Sequence, residues 1–168
     1  LEVLPLSRLL RGAEDLRLAL INDAQMKQLE PKVEAIAVDV QNLVQLGILE
    51  IVNKTQLSDG TFRHEIYVTG ETNTMTPVGN TDLVATLEML LTLFKVYNTY
   101  ESALFYIRIE SALKGGFIPL IKTAQFDAYS KDLLKQVWTA IQVKLPVTHP
   151  NEIPLKELEA ATRGVIAL

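Results

Sequence analysis

ILEIVNKTQLSDGTFRHEIYVTG, residues 48–70, is the stretch on which the fold turns. It is rich in β-branched and aromatic residues, and it holds Asp59-Gly60, the dipeptide favoured in a two-residue type I′ turn. Centring a turn there fixes a register. Leu57 then faces Phe62, Thr55 faces His64, Asn53 faces Ile66 and Ile51 faces Val68, on one mostly apolar face. On the other face Gln56 meets Arg63, Lys54 meets Glu65 and Val52 meets Tyr67. An opposite-charge pair and a β-branched–aromatic pair both suit this arrangement. The expectation is a β-hairpin over about residues 48–69, with Leu57, Phe62, Ile66 and Val68 buried. Such a hairpin is marginal alone and has to lie on helices or join another sheet.

Upstream the apolar period is helical. Pro31 suits a first helical turn, and Val33, Ile36, Ala37, Val40, Leu43 and Val44 follow at helical spacing until Gly47, read as the C-terminal stop. Before it, Ser7 can cap a helix running to about residue 28. Its apolar stripe of Leu9, Leu16, Leu20 and Ala24 is expected to face the core, with Ala13 and Arg17 beside it and Glu14, Asp15 and Asp23 in water.

Downstream, residues 71–80 read as a polar loop, with Asn80 or Thr81 as the next cap. DLVATLEMLLTLFKVY, residues 82–97, is apolar around most of its circumference, and Glu88 is read as its exposed charge. At 1.5 Å per residue it spans about 24 Å, short of a ~30 Å hydrocarbon layer. Its ionised residues would each cost about 3 kcal/mol near a bilayer centre. It is expected to be the central core helix and not a membrane span. A fourth helix covers residues 100–114, with Ala103, Leu104, Ile107 and Leu113 inward and Glu110 paired to Lys114. FIPLIKT, residues 117–123, reads as an extended connector because of Pro119. A fifth helix spans about residues 124–145, with Phe126, Leu133, Leu134, Val137, Ile141 and Leu145 inward and Trp138 beside them. A short last helix starts at Pro154, and an apolar VIAL closes the sequence.

The fold class that follows is mainly α: a bundle of five to six helices with one β-hairpin, forming a single domain over residues 1–168. A chain of this length can bury roughly 70% of its unfolded surface without staples.

The chemistry is sparse. There is no cysteine, which excludes disulfides, thiol nucleophiles and thiolate metal sites. The two histidines, His64 and His149, make no metal-binding pair. His64 is expected at the edge of the hairpin's apolar face, and His149 on a loop surface. No nucleophile elbow, phosphate-binding loop, dinucleotide fingerprint or zinc-protease motif occurs. Gly70 and Gly79 are too far apart to cradle a phosphate, and the adjacent carboxylates Glu14 and Asp15 point in different directions. No catalytic, cofactor or metal site is expected. A net charge of −4 gives no general attraction to phosphate or anionic lipid.

Two candidate surfaces remain. Leu93, Phe94, Tyr97, Tyr100 and Trp138 form an aromatic-rich group suited to an interface anchor. Lys114, Lys122, Lys131, Lys135 and Lys144 form a basic stretch that could meet nucleic acid weakly. A helix at residues 31–46 followed by a hairpin also resembles the second half of a winged helix. That helix, however, would show a DNA groove Glu34 and Asp39.

The function expected is a non-catalytic structural or assembly subunit of a larger complex, with other protein subunits as partners. The alternative is a helical nucleic-acid-associated subunit. The sequence opens at Leu1 without methionine, so it is read as a processed product, an internal fragment or an engineered boundary; matured virion proteins are one class with such a start, and the cytoplasm or a virion is expected over secretion.

Overall fold

Residues 48–55 are helical. The computed structural model describes residues 3–23, 30–69, 74–78, 80–100, 102–148 and 153–168. In it α1 (Val3–Asn22) is followed by α2 (Glu30–Thr55), which continues through Gly47 and takes in the expected first strand. The same residues satisfy a helical period: Val44, Ile48, Ile51, Val52 and Thr55 are all buried on one stripe. About three consecutive turns of core contact outweigh the β propensity of Ile and Val, which is a weaker preference than packing. Gly47 is therefore not a stop. A Cβ there would stand 3.1 Å from Leu10 Cδ2, so glycine lets α2 approach α1 closely.

The turn at Asp59-Gly60 is real, but its register slips by one residue from the expected one. Leu57 N–H donates to Thr61 O at 2.8 Å and Gly60 N–H to Leu57 O at 2.9 Å, and Gln56 bridges to Phe62. This is a three-residue loop closed by Gly60 in the left-handed region, at φ 83°. Asp59 Oδ1 accepts from Thr61 N–H at 2.9 Å and from its hydroxyl at 2.6 Å. The loop docks on the end of α4 (Ala103–Lys114), where Gly116 N–H donates to Asp59 O at 2.7 Å.

Of the expected buried hairpin face, Phe62 is buried and Leu57 half-buried, while the side chains of Ile66 and Val68 lie outside the described residues. β1 (Glu65–Thr69) pairs antiparallel with β2 (Thr74–Val78), Glu65 opposite Val78 and Thr69 opposite Thr74. β2 occupies what reads in sequence as a polar loop, and its Pro77 is tolerated in a two-stranded pair where both strands are edges. The hairpin over 48–69 and the winged-helix order built on it are thus replaced by a long helix, a tight loop and a separate strand pair.

α3 (Leu83–Tyr100) is central and packs against α1, α2, α4, α5 and α6. Its cap is Asp82, not Asn80 or Thr81: Asp82 Oδ1 accepts from Ala85 N–H at 2.8 Å. Leu87, Met89, Leu90 and Leu93 are fully buried. Leu90→Ala is expected to cost about 3 kcal/mol through the cavity it leaves, read as a lowered urea midpoint with unchanged slope.

α4 turns Phe105, Tyr106, Ile109, Ala112 and Leu113 inward, while Ala103, Leu104 and Ile107 are exposed, the reverse of the expectation for those three. FIPLIKT is α5 (Phe117–Thr123); Pro119 falls in its first turn, where the missing N–H has no intrahelical role. α6 (Ala128–Thr148) starts with a reciprocal cap: Ser130 N–H donates to Asp127 Oδ1 at 2.8 Å, and Asp127 N–H to Ser130 Oγ at 2.9 Å. α7 (Leu155–Arg163) packs on α5, and Val165 and Ile166 lie half-buried on the core beyond it. The described residues thus hold seven helices, against the five to six expected.

Candidate functional site

α1 is an inverted amphipathic helix. Among its described side chains the buried ones are Ser7, Leu10, Glu14 and Arg17, one face at helical spacing and mostly polar. Its outward side shows Pro5, Leu9, Gly12, Leu16 and Ala19, with the exposed charges Arg8 and Asp15 along one edge. Leu9 and Leu16, expected in the core, therefore point to solvent, and Glu14, expected in water, is buried. The partner helix explains the inversion. α3 carries Glu88 inside the fold, only 1% exposed and not at the surface as expected. A buried carboxylate requires charge and hydrogen-bond partners, and α1 supplies them.

The Glu88 site joins three helices. Arg8 donates to Glu88 Oε1 through Nε at 3.2 Å and Nη2 at 3.1 Å. Arg11 pairs with Oε2 and also donates to the Glu88 backbone carbonyl at 3.2 Å. From α6 the Tyr129 hydroxyl donates to Oε1 at 2.5 Å and accepts from Arg8. Thr92 Oγ1 donates to the same backbone carbonyl at 3.0 Å and hydrogen-bonds Ser7 Oγ. Burial pushes the Glu88 carboxyl up, but the Tyr129 hydrogen bond and the adjoining Arg11 and Arg8 charges outweigh it and hold the group below its ordinary range. A carboxylate kept ionised and saturated with donors is a poor general acid or base.

A second network lies at the other end of α1. Arg17 grips Glu14 through Nε at 3.2 and 3.1 Å and Nη2 at 2.8 Å. The Tyr100 hydroxyl donates to Glu14 Oε2 at 2.9 Å, and the Arg17 guanidinium lies 5.5 Å from the Tyr100 ring centroid. Burial and the Glu14 carboxylate push the Tyr100 phenol up to about 12. A group raised in the folded state stabilises fully below its unfolded pKa of about 10 and loses that contribution as pH rises through its folded value. Stability is therefore expected to fall between about pH 10 and 12. Tyr100→Phe should flatten that limb, as followed by circular dichroism with tyrosinate absorbance.

Both α1 and α2 expose aliphatic residues. On α2 the residues at 36, 39, 43, 46 and 50 share one exposed face: Ile36, Asp39, Leu43, Leu46 and Glu50. Leu9, Leu16, Ile36, Leu43 and Leu46 are between 51% and 68% exposed, large values for so many aliphatic residues on two packed helices. Among the described residues nothing lies within 4 Å of where a Gly12 Cβ would stand. Among the described residues, the helix Glu34–Thr55 is also the one long and apolar enough to cross a membrane, with 28% of its apolar window buried. It differs from residues 82–97, the stretch weighed for that role in the sequence.

The two surfaces read from the sequence fare differently. Leu93, Phe94, Tyr97 and Trp138 are buried in the core, and Tyr100 is half-buried against Glu14. Lys131 and Lys135 are exposed one turn apart on α6, whereas Lys122 on α5 pairs with Glu157 of α7 at 2.9 Å. The Lys144 side chain lies outside the described residues, as does His149, and His64 is exposed. Arg8, Arg11, Tyr129 and Gly12 were not singled out in the sequence. The available signal was Glu88 itself, a carboxylate within a helix too apolar to leave it in water.

Among the described residues no group of three His, Asp or Glu could hold a metal ion. The cavity lined by Arg11, Asp15, Leu91, Lys95 and Gln136, about 290 Å³, has its charges paired, Arg11 with Glu88 and Lys95 with Asp15. A cavity of about 360 Å³ between the starts of α3 and α6 contains Asp82 and Asp127, both engaged as helix caps. Comparison with protein-family models, with curated proteins and with solved structures finds no match to this chain.

Proposed function

We propose that this chain is a non-catalytic assembly subunit that acts through protein–protein contact, using the outward faces of α1 and α2. The observation that carries this reading is the inversion of α1. A helix that buries Glu14 and Arg17 while it shows Leu9 and Leu16 is arranged for a second apolar surface outside the fold. The interface group expected at Leu93, Phe94, Tyr97 and Trp138 is thus moved to Leu9, Leu16, Ile36, Leu43 and Leu46. The nucleic-acid alternative loses its winged-helix order, and Lys122 is paired with Glu157, so it rests on the exposed Lys131 and Lys135 of α6.

The test is photo-cross-linking in the native source. A photoreactive residue at Leu43 should form a covalent adduct with another polypeptide, while one at exposed Lys135 should not. Equal labelling at both positions, or none at Leu43, overturns the reading.

A further inference from the structure

We infer that the open edge of β1 pairs with β1 of a second copy of this chain, joining two strand pairs into one antiparallel sheet. The contact is backbone pairing, and it does not use the leucines of α1 and α2. The register shows which groups are free. Ile66 stands opposite Pro77. In an antiparallel pair, facing residues alternate between those that exchange both N–H···O bonds and those that exchange none. Pro77 has no N–H to exchange, so Ile66 and Pro77 occupy a non-bonded position. Glu65 with Val78, Tyr67 with Thr76 and Thr69 with Thr74 are then the bonded pairs. The N–H and C=O of Ile66 and Val68 therefore point away from β2. Among the described residues no third strand meets them, since the sheet consists of β1 and β2. The pair meets the bundle chiefly at α2, whose own backbone groups bond within the helix.

The two edges are not alike. On β2 the outward groups belong to Met75 and Pro77, and the proline removes a donor, one of the ways by which proteins blunt an edge. β1 is Glu-Ile-Tyr-Val-Thr, without proline, glycine or lysine, and its three central residues are strong strand formers. Backbone donors and acceptors in a row are matched by another extended backbone, and β1 matches itself. Its free groups lie at residues 66 and 68, symmetric about Tyr67. A two-fold axis through Tyr67 makes Ile66 and Val68 of the second copy a bonded pair, and Val68 and Ile66 of the second copy the other. Tyr67 then faces Tyr67 of the second copy at a non-bonded position, where facing residues stand closest and aromatic pairs are favourable. Glu65 faces Thr69 of the second copy, so the strand's one charge meets no like charge.

The chain has no cysteine, so a single introduced thiol reads the register. Tyr67→Cys puts that thiol beside the axis, with facing Cβ atoms about 4.5 Å apart, and mild oxidation of the intact chain should give a disulfide-linked dimer. Glu65→Cys leaves the two thiols about 14 Å apart along the strands and should give none. Sedimentation equilibrium of the wild type, from low micromolar to near-millimolar concentration, should show a reversible dimer. Val68→Pro removes one outward N–H from each copy and keeps every bond to β2. It should weaken association by about tenfold or more with little change in the thermal midpoint. Where that variant does not fold, the contrast between Tyr67→Cys and Glu65→Cys decides. A wild type monomeric across the range overturns the inference. So does a Tyr67→Cys chain that forms no disulfide or one no faster than Glu65→Cys, or a folded Val68→Pro chain that dimerises as tightly as wild type. A monomeric chain whose Leu43 cross-link in the native source goes to a different polypeptide overturns it and leaves the assembly reading standing.

Discussion

Replacing Arg8 and Arg11 together by alanine is expected to destabilise the fold by about 4 kcal/mol at neutral pH, because it strands a buried carboxylate. Glu88 is 1% exposed, and after the change its Oε atoms retain only the Tyr129 hydroxyl, whose own position is partly set by Arg8. Most of the effect belongs to Arg11, whose side chain is 22% exposed, since the half-exposed Arg8 is screened by water. The pH dependence carries a definite sign. In the wild type the Glu88 pKa is lowered, so its contribution is present above the unfolded value of about 4.3 and is lost as pH falls through the folded value. In the double variant the stranded carboxyl can take a proton in acid, so the gap between the two proteins should close below about pH 4. Adding Glu88→Leu should recover most of the lost stability by removing the charge itself. Urea midpoints of the three proteins at neutral and acid pH test this. A double variant within 1 kcal/mol of wild type would show that Glu88 does not depend on α1.

Gly60→Val is expected to cost a similar amount, about 3–5 kcal/mol, through two independent causes. The residue sits at φ 83°, which is expensive for any side chain and most so for a β-branched one. A Cβ there would also stand 2.3 Å from the Ser111 carbonyl carbon and oxygen and 2.4 Å from Ala112 N, so the loop would have to leave the end of α4. Gly60→Ala should already produce most of the loss, since the clash begins at Cβ. The hydrogen bond from Gly116 N–H to Asp59 O reports the displacement. Fast exchange of the Gly116 amide in the variant would follow from it, and an unchanged urea midpoint for Gly60→Val would remove the account.

How far the sequence was legible varies by element. Residues 82–97 gave a central helix directly, since no one-sided surface can use that much apolar circumference. Asp59-Gly60 gave a turn, because only glycine tolerates the conformation its last position needs. Its register was not legible, because two- and three-residue loops share that dipeptide. Residues 48–55 misled because Ile48, Ile51 and Val52 satisfy both a strand and a helical reading, and the choice is made by contacts distant in sequence. The largest error came from α1. Leu9 and Leu16 form a sound apolar stripe, and placing such a stripe inward is the usual rule. Here the rule fails because Glu88, far along the chain, demands cations, and one helix cannot give the same face to both. The candidate interface was missed for the same reason: four of its five residues, Leu9, Leu16, Ile36 and Leu43, were already assigned to apolar stripes facing the core.

The two seams of α3 have a further consequence for temperature. The seam with α6 is packed by Leu133, Leu134, Val137, Trp138 and Ile141, whereas the seam with α1 is made largely of paired charges and hydroxyls. Hydration of ions becomes less favourable on warming, so the desolvation penalty of paired charges shrinks, while stabilisation per unit of apolar area levels off. Separating the apolar seam exposes surface with a large positive heat-capacity increment, and separating the charged one does not. In the cold the apolar seam weakens; near the melting range the α1 seam is the one gaining relative strength. The protein is thus fastened to its central helix by two joints with opposite thermal responses, and the joint that holds its outward apolar face in place is the one that heat favours.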